Sequence, residues 1–192
     1  MPTPKILAFA GSTRAESFNK KLVRVVAGLV RDAGADVTTI DLRDFPMPLY
    51  DGDFEEQNGL PDNALKLKVL FKSHHGFLIS APEYNSSITA VLKNTIDWVS
   101  RPLPGEKRLE AYVGKTALLV AASPGALGGL RGLYALRWIL SNIFVTVLPD
   151  QRAVAVQPGT FAADGLLTDA KLRDELAGLA KQLVEITRKI IQ

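Results

Sequence analysis

The chain has 192 residues, 47% of them hydrophobic and 22% charged, the size and composition of one compact domain, residues 1–192, around a single core. Its 23 Lys and Arg stand against 20 Asp and Glu, and the halves are balanced (11 basic and 11 acidic residues in 1–96, 12 and 9 in 97–192), which disfavours a charge-driven nucleic-acid binder. It has no cysteine and only two histidines, adjacent at His74 and His75, which excludes disulfides, Fe–S clusters, thiolate zinc sites, Cys nucleophiles and a His-built metal centre.

The chain opens Met1-Pro2-Thr3-Pro4-Lys5 without a cleavable signal pattern, and no apolar run reaches the roughly 18–20 residues of a membrane span. A cytoplasmic protein without membrane contact is expected. Ile6–Ala10 is a short continuous apolar run ending in Gly11, the pattern of a strand buried on both faces. Over Phe18–Ala33, Leu22, Val25, Val26, Leu29 and Val30 fall on one helical face, and Gly34 ends the helix. Ala35–Leu42 reads as a second strand. Asp41 to about Pro61 reads as irregular, with seven acidic residues and one basic one from Asp41 through Asp62. A loop of that length either covers a site or is a solvated surface excursion.

A helical stretch near Asp62–His75 leads into a third strand, Gly76–Ala81. Ile88, Val91, Leu92, Thr95, Ile96 and Val99 mark the next helix, followed by a fourth strand over Lys115–Ser123 and a helix over Leu130–Asn142. Phe144–Val156 is a fifth strand broken by Pro149, and Asp169–Ile191 closes the chain as a long helix. Strands alternating with helices in this way predict a three-layer, doubly wound α/β fold with a five-stranded parallel sheet.

In such sheets ligands bind beyond the carboxyl ends of the strands, so the segments after strands one, three and four are the ones to read. The first, Gly11-Ser12-Thr13-Arg14-Ala15-Glu16-Ser17-Phe18-Asn19, sets hydroxyls, an amide and a guanidinium at a helix N-terminus, as a phosphate dianion requires. It has neither the dinucleotide G-x-G-x-x-G nor the nucleotide-triphosphatase G-x-x-x-x-G-K-[ST]. Capping of the helix by Ser17 or Asn19 is the competing reading, and it leaves Arg14 and the accumulated hydroxyls unexplained. The second, Ser80-Ala81-Pro82-Glu83-Tyr84-Asn85-Ser86-Ser87, begins stiffly at Pro82. It fits either a loop presenting amides and an aromatic face to a flat heterocycle, or a turn with Ser86 or Ser87 as N-cap. The third, Ser123-Pro124-Gly125-Ala126-Leu127-Gly128-Gly129-Leu130-Arg131, packs three glycines into five residues, suited to close backbone approach or to a plain tight turn.

Together these pieces resemble the NADPH-dependent FMN reductase family of flavodoxin-like flavoproteins: G-S-x-R-x-x-S-x-N at Gly11–Asn19, P-E-Y-N-x-S…L-K-N-x-x-D-W at Pro82–Trp98, and S-P-G-x-x-G-G-x-R at Ser123–Arg131. They span residues 5–140, about two-thirds of the chain, and Ser86 and Thr89 stand where the family commonly has Gly and Pro. The resemblance implies a flavodoxin-like sheet of order 2-1-3-4-5. It implies FMN with its phosphate on Ser12, Arg14, Ser17, Phe18 and Asn19. Pro82, Glu83, Tyr84, Asn85 and Ser86 would line the ribityl chain and isoalloxazine, with Ser123 and Gly125 near the ring's other side. It also implies a homodimer or homotetramer, which the apolar surplus of Leu130, Leu133, Tyr134, Leu136, Trp138, Ile139 and Leu140 permits.

The expected chemistry is hydride transfer from NADPH or NADH to bound FMN, then ping-pong reduction of a small-molecule acceptor such as a quinone, azo compound, chromate or free flavin. The flavin would carry the chemistry, so neither a catalytic side chain nor a metal is required. A salt bridge or a helix N-terminal charge is the preferred reading of Glu83 over a general acid. Arg14, Arg101, Lys107, Arg108 and Arg131 are available for a nicotinamide 2′-phosphate, though a surface arginine capping the helix end is the preferred reading of Arg101. A flavodoxin-type electron carrier is the alternative, but carriers tend to be strongly acidic. A serine hydrolase is disfavoured, since no G-x-S-x-G elbow is present and the histidine pair lies away from the expected site.

Overall fold

The computed structural model describes residues 2–192. The parallel strands are β1 (Lys5–Ala10), β2 (Asp36–Asp41), β3 (Gly76–Ser80) and β6 (Thr116–Ser123), in the order β2-β1-β3-β6. Two short strands, β7 (Thr146–Val147) and β8 (Arg152–Ala155), share the position beyond β6. The first pairs with its start at Thr116 and Ala117, the second with its end at Val120–Ser123. The fifth strand is therefore interrupted around Pro149, as the sequence suggests, and the predicted order stands with that position split in two. A hairpin, β4 (Glu83–Tyr84) with β5 (Ser87–Ile88), stands apart from the sheet.

The apolar run in β1 is continuous because both faces are covered. Ile6, Ala8 and Ala10 join one core with Leu22, Val26 and Val30 of α1 (Phe18–Asp32) and Leu176, Ala180 and Leu183 of α6 (Ala170–Ile190). Leu7 and Phe9 point the other way. They meet α3 (Asp62–Ser73) through Phe71, α4 (Ala90–Ser100) through Leu92, Ile96 and Val99, and α5 (Leu130–Asn142) through Leu133, Leu136 and Leu140.

The segment expected to be irregular from Asp41 to Pro61 is not: it holds a 3₁₀ turn at Leu42–Asp44 and a helix, α2 (Gly52–Asn58), whose N-cap Asp51 accepts from Asp53 N–H (2.8 Å) and Phe54 N–H (3.1 Å). Nor is it a loose excursion, because it is strapped to α4. The Trp98 indole and Asn94 amide both donate to Pro48 C=O (2.8 and 2.9 Å), and Arg101 bonds Glu55 at 2.8 and 3.0 Å. Tyr50 and Phe54 pack edge-on against Trp98, their centroids 5.0 and 6.0 Å away. Sequence patterning misses α2 because its residues lack an apolar face and its stability comes from tertiary contacts.

Candidate functional site

All three singled-out segments meet beyond the carboxyl ends of β1, β3 and β6. Gly11 N–H donates to Ser80 C=O (2.9 Å) and Ala81 N–H to Val120 C=O (2.8 Å), so the loops leave the sheet in register. Asn19 ties them further. Its Nδ2 donates to Ala122 C=O (2.8 Å), and its Oδ1 accepts from Ala122 N–H (3.0 Å) and from the Ser80 hydroxyl (2.9 Å). That amide, 4% exposed, is spent on the ends of β3 and β6 rather than turned toward the loop above it.

The start of α1 is open. Ser17 is its N-cap but makes no side-chain capping bond, and no acidic residue lies in the first turn. The first intrahelical bond is Lys21 N–H to Ser17 C=O (3.1 Å), which leaves the N–H groups of Phe18, Asn19 and Lys20 pointing out of the helix end. The capping reading of Ser17 and Asn19 is thus not what these side chains do. Ser12 and Ser17 are buried beside this end, and the Ser12 Oγ accepts from Arg14 N–H at 3.3 Å. The Arg14 side chain is exposed and pairs with no carboxylate among the described residues. Lys20 is committed elsewhere, to Asp41 at 2.6 Å. Burial raises the Asp41 pKa, but hydrogen bonds from Lys20 and from the Arg43 backbone outweigh it and leave the carboxyl below its usual value.

Next to this end is a cavity of about 400 Å³ between the second and third loops, lined by Glu83, Asn85, Ser86, Ser123, Gly125 and Arg131 among others. Pro82 is buried beneath it, and Tyr84 is exposed at the hairpin. The structure therefore gathers Glu83, Asn85, Ser86, Ser123 and Gly125 on one cavity, with Ser12, Arg14, Ser17, Phe18 and Asn19 on the adjoining loop and helix end.

The hairpin turn explains one departure from the family pattern. Asn85 and Ser86 both have positive φ, 50° and 65°, so glycine is the easier residue at either, and Ser86 accepts some strain there. Thr89, the other departure, is the N-cap of α4, so the turn reading with Ser86 or Ser87 as N-cap does not hold. Its Oγ1 accepts from Leu92 N–H (3.3 Å) and donates to Gly11 C=O (2.6 Å), joining the second loop to the first. Proline could do neither. The family pattern marks Thr89 only as a departure, although a threonine three positions before Leu92 is a capping signal.

Glu83 sits where a reactive carboxylate would be tempting, yet it accepts from the Arg131 and Gly132 N–H groups (3.0 and 3.2 Å) and from Arg131 Nε (2.6 Å). It is the N-terminal countercharge of α5. Arg131 and Arg101, two of the five cations considered for a 2′-phosphate, are ion-paired with Glu83 and Glu55. The glycines of the third loop divide by role. Gly128 and Gly129 have positive φ, and a Cβ on Gly128 would lie 2.6 Å from the Val154 backbone, so both are needed by packing. A Cβ on Gly125 would meet only the Ser123 hydroxyl, at 3.7 Å. His74 bonds Leu70 C=O and Thr38, at the end of the sheet opposite this site.

A sequence model of the family described as NADPH-dependent FMN reductase matches residues 4–159. The chain is 30% identical over 194 residues to the NAD(P)H:quinone oxidoreductase of Solanum tuberosum, covering 98% of this chain and 95% of that protein. It is 32% identical over 173 residues to an NAD(P)H-dependent FMN reductase of Pseudomonas aeruginosa, covering 88% of each. FerB, a flavoenzyme NAD(P)H:(acceptor) oxidoreductase from Paracoccus denitrificans, superposes with a TM-score of 0.82 at 27% identity, covering 97% of this chain and 98% of that one.

Proposed function

Because the chain belongs to the NADPH-dependent FMN reductase family, we propose that its strand-end site holds FMN, with the ring in the cavity between the second and third loops and the phosphate on the first turn of α1. The protein is an NAD(P)H-dependent, FMN-using oxidoreductase of the flavodoxin-like fold. The observation that carries the placement is the uncapped start of α1 beside two buried serine hydroxyls, adjoining a cavity of suitable size. Three outward N–H groups at the positive end of a helix dipole suit a dianion.

When bound there, FMN would supply the redox chemistry: hydride acceptance from NADPH or NADH and two-electron reduction of a small-molecule acceptor. The chain's own groups bind and orient. The helix-end amides and the Ser12 and Ser17 hydroxyls donate to phosphate, and Arg14 adds an unpaired positive charge. Asn19 holds the loop at its required height above β3 and β6 without spending its amide on the ligand. The hairpin residues Pro82, Glu83, Tyr84, Asn85 and Ser86 wall the ribityl chain and one side of the ring, while Ser123 and Gly125 leave the other side free of bulk. Quinones are the acceptor class we favour, from the names borne by the relatives. A cytoplasmic location, where nicotinamide donors are at hand, belongs to the same proposal. Among the described residues no helix is long and apolar enough to cross a membrane.

The reductase reading is tested by mixing the protein with FMN, NADPH or NADH and a benzoquinone and following the nicotinamide absorbance band. Turnover with at least one donor is expected. Its absence with both would leave only a flavin-binding carrier, the alternative that the relatives speak against. We further propose a homodimer or homotetramer joined through α4 and α5. Trp138 and Tyr134 are 79% and 61% exposed on α5, beside a groove of about 460 Å³ between the two helices. Light scattering on Trp138→Glu is expected to show a smaller assembly than the native chain.

A further inference from the structure

On the far side of the phosphate loop lies a second pocket that FMN reduction does not use. It has a volume of about 350 Å³, within the range of small-molecule sites, and is lined by Phe18 and Lys21 of α1, by Pro124, and by Gln157 and Phe161 after β8. Pro124 separates it from the ring cavity, whose wall includes the neighbouring residues Ser123 and Gly125. The second pocket therefore touches both the start of α1, through Phe18 and Lys21, and the third loop, through Pro124. A ligand anchored by a phosphate at the helix end could thus extend in both directions.

Two features of this pocket suit a purine. The rings of Phe18 and Phe161 lie nearly parallel, 8° apart in plane, with centroids separated by 6.3 Å, toward the wide end of aromatic pairing. Both are half-buried, so each keeps surface that a third π-system can cover. The loop carrying Phe161 is held by its own bonds: Gln157 N–H to Thr160 Oγ1 (2.8 Å), Thr168 Oγ1 to Gly159 C=O (2.8 Å) and a bridge between Phe161 and Leu167. For the intervening charge, Lys21 lies one turn into α1 and among the described residues pairs only with Glu16, at 3.5 Å on a largely exposed carboxylate. Its ammonium is free to turn to a second phosphate.

We propose that the site also takes FAD, with the adenosine seated against Phe18 and Phe161 and the second phosphate met by Lys21. The proposal rests on the flavin placement argued above. It is tested by calorimetric titration of the apoprotein with FMN and with FAD separately, for the native chain, Phe161→Ala and Phe161→Tyr. The native chain binds both. Phe161→Ala raises the FAD Kd about tenfold or more through the lost stacking and leaves the FMN Kd within about twofold, while Phe161→Tyr keeps both near native. Millimolar adenosine added to the native chain raises the FAD Kd alone, a measurement that needs no variant to fold. Failure of FAD to bind where FMN does, an equal effect of Phe161→Ala on the two flavins, or indifference of FAD binding to adenosine overturns the adenosine pocket while leaving the FMN site standing. Failure of the native chain to bind FMN removes both.

Discussion

Asn19 offers the sharpest test of how the site is built, because sequence similarity makes it a phosphate ligand whereas the structure makes it a tie between strands. Replacing it with Ala removes three hydrogen bonds at a position 4% exposed: to Ala122 C=O, from Ala122 N–H and from the Ser80 hydroxyl. Each buried partner left unsatisfied costs about 1–3 kcal/mol. Allowing the strand-end groups partial access to water, a total of about 3 kcal/mol is expected, which for a chain of this size lowers Tm by roughly 6–12 °C. Asn19→Asp sharpens the result. It keeps the acceptor for Ala122 N–H and Ser80, loses the donor to Ala122 C=O, and adds an anion below the proposed phosphate position. With a buried carboxylate oxygen set against Ala122 C=O, it should melt no higher than Asn19→Ala and bind FMN the more weakly of the two variants. Thermal scans of the apoproteins and flavin-fluorescence titrations read both quantities. An Asn19→Ala apoprotein melting within 1 °C of native, with FMN affinity still lost, would refute the tie and restore the direct ligand.

Arg14→Ala, which breaks no ion pair, should leave the apoprotein Tm unchanged and weaken FMN binding by about 1.5–3 kcal/mol, the value of a charge-assisted bond, measured by the same titration. Thr89→Val removes the α4 cap and the bond to Gly11 C=O; about 2 kcal/mol of stability should go, by denaturant unfolding, together with FMN affinity. Gly125→Ala meets nothing closer than 3.7 Å, so stability should hold while turnover with bulky acceptors falls, measured as a change in kcat/KM between small and large quinones. Acid stability should report on Glu106, away from the site. Burial raises its pKa, but hydrogen bonds from Lys68 and Lys72 and from the Leu103 backbone outweigh this and bring it down to about 2. A carboxyl lowered on folding stabilises above its unfolded pKa, so about 3 kcal/mol should be lost as pH falls from 4.5 toward 2, and Glu106→Gln should lack that portion of the profile in pH-dependent unfolding.

The strands and long helices were legible because their signals are local. Ile6–Ala10 had to be covered on both faces, and Leu22, Val26 and Val30 had to share one, whatever packed against them. The interrupted fifth strand was legible for the same reason, since Pro149 cannot serve in a ladder. By contrast α2 escapes sequence patterning: its cap Asp51 is local, but its apolar partner, Trp98, lies about 40 residues further along the chain.

At the site the division is similar. Residue types alone placed hydroxyls, a guanidinium and glycines at three strand ends, and the parallel topology brings those ends together. What each of those side chains bonds to was decided in three dimensions. Asn19 and Glu83 turn their polar atoms into the scaffold, Thr89 joins two loops 78 residues apart, and Gly128 answers to the backbone of β8 rather than to a cofactor. The physical reason is that a side chain's chemistry is carried by its type, while its hydrogen-bonding partner is whatever the fold brings within about 3 Å. No periodicity along the chain encodes that.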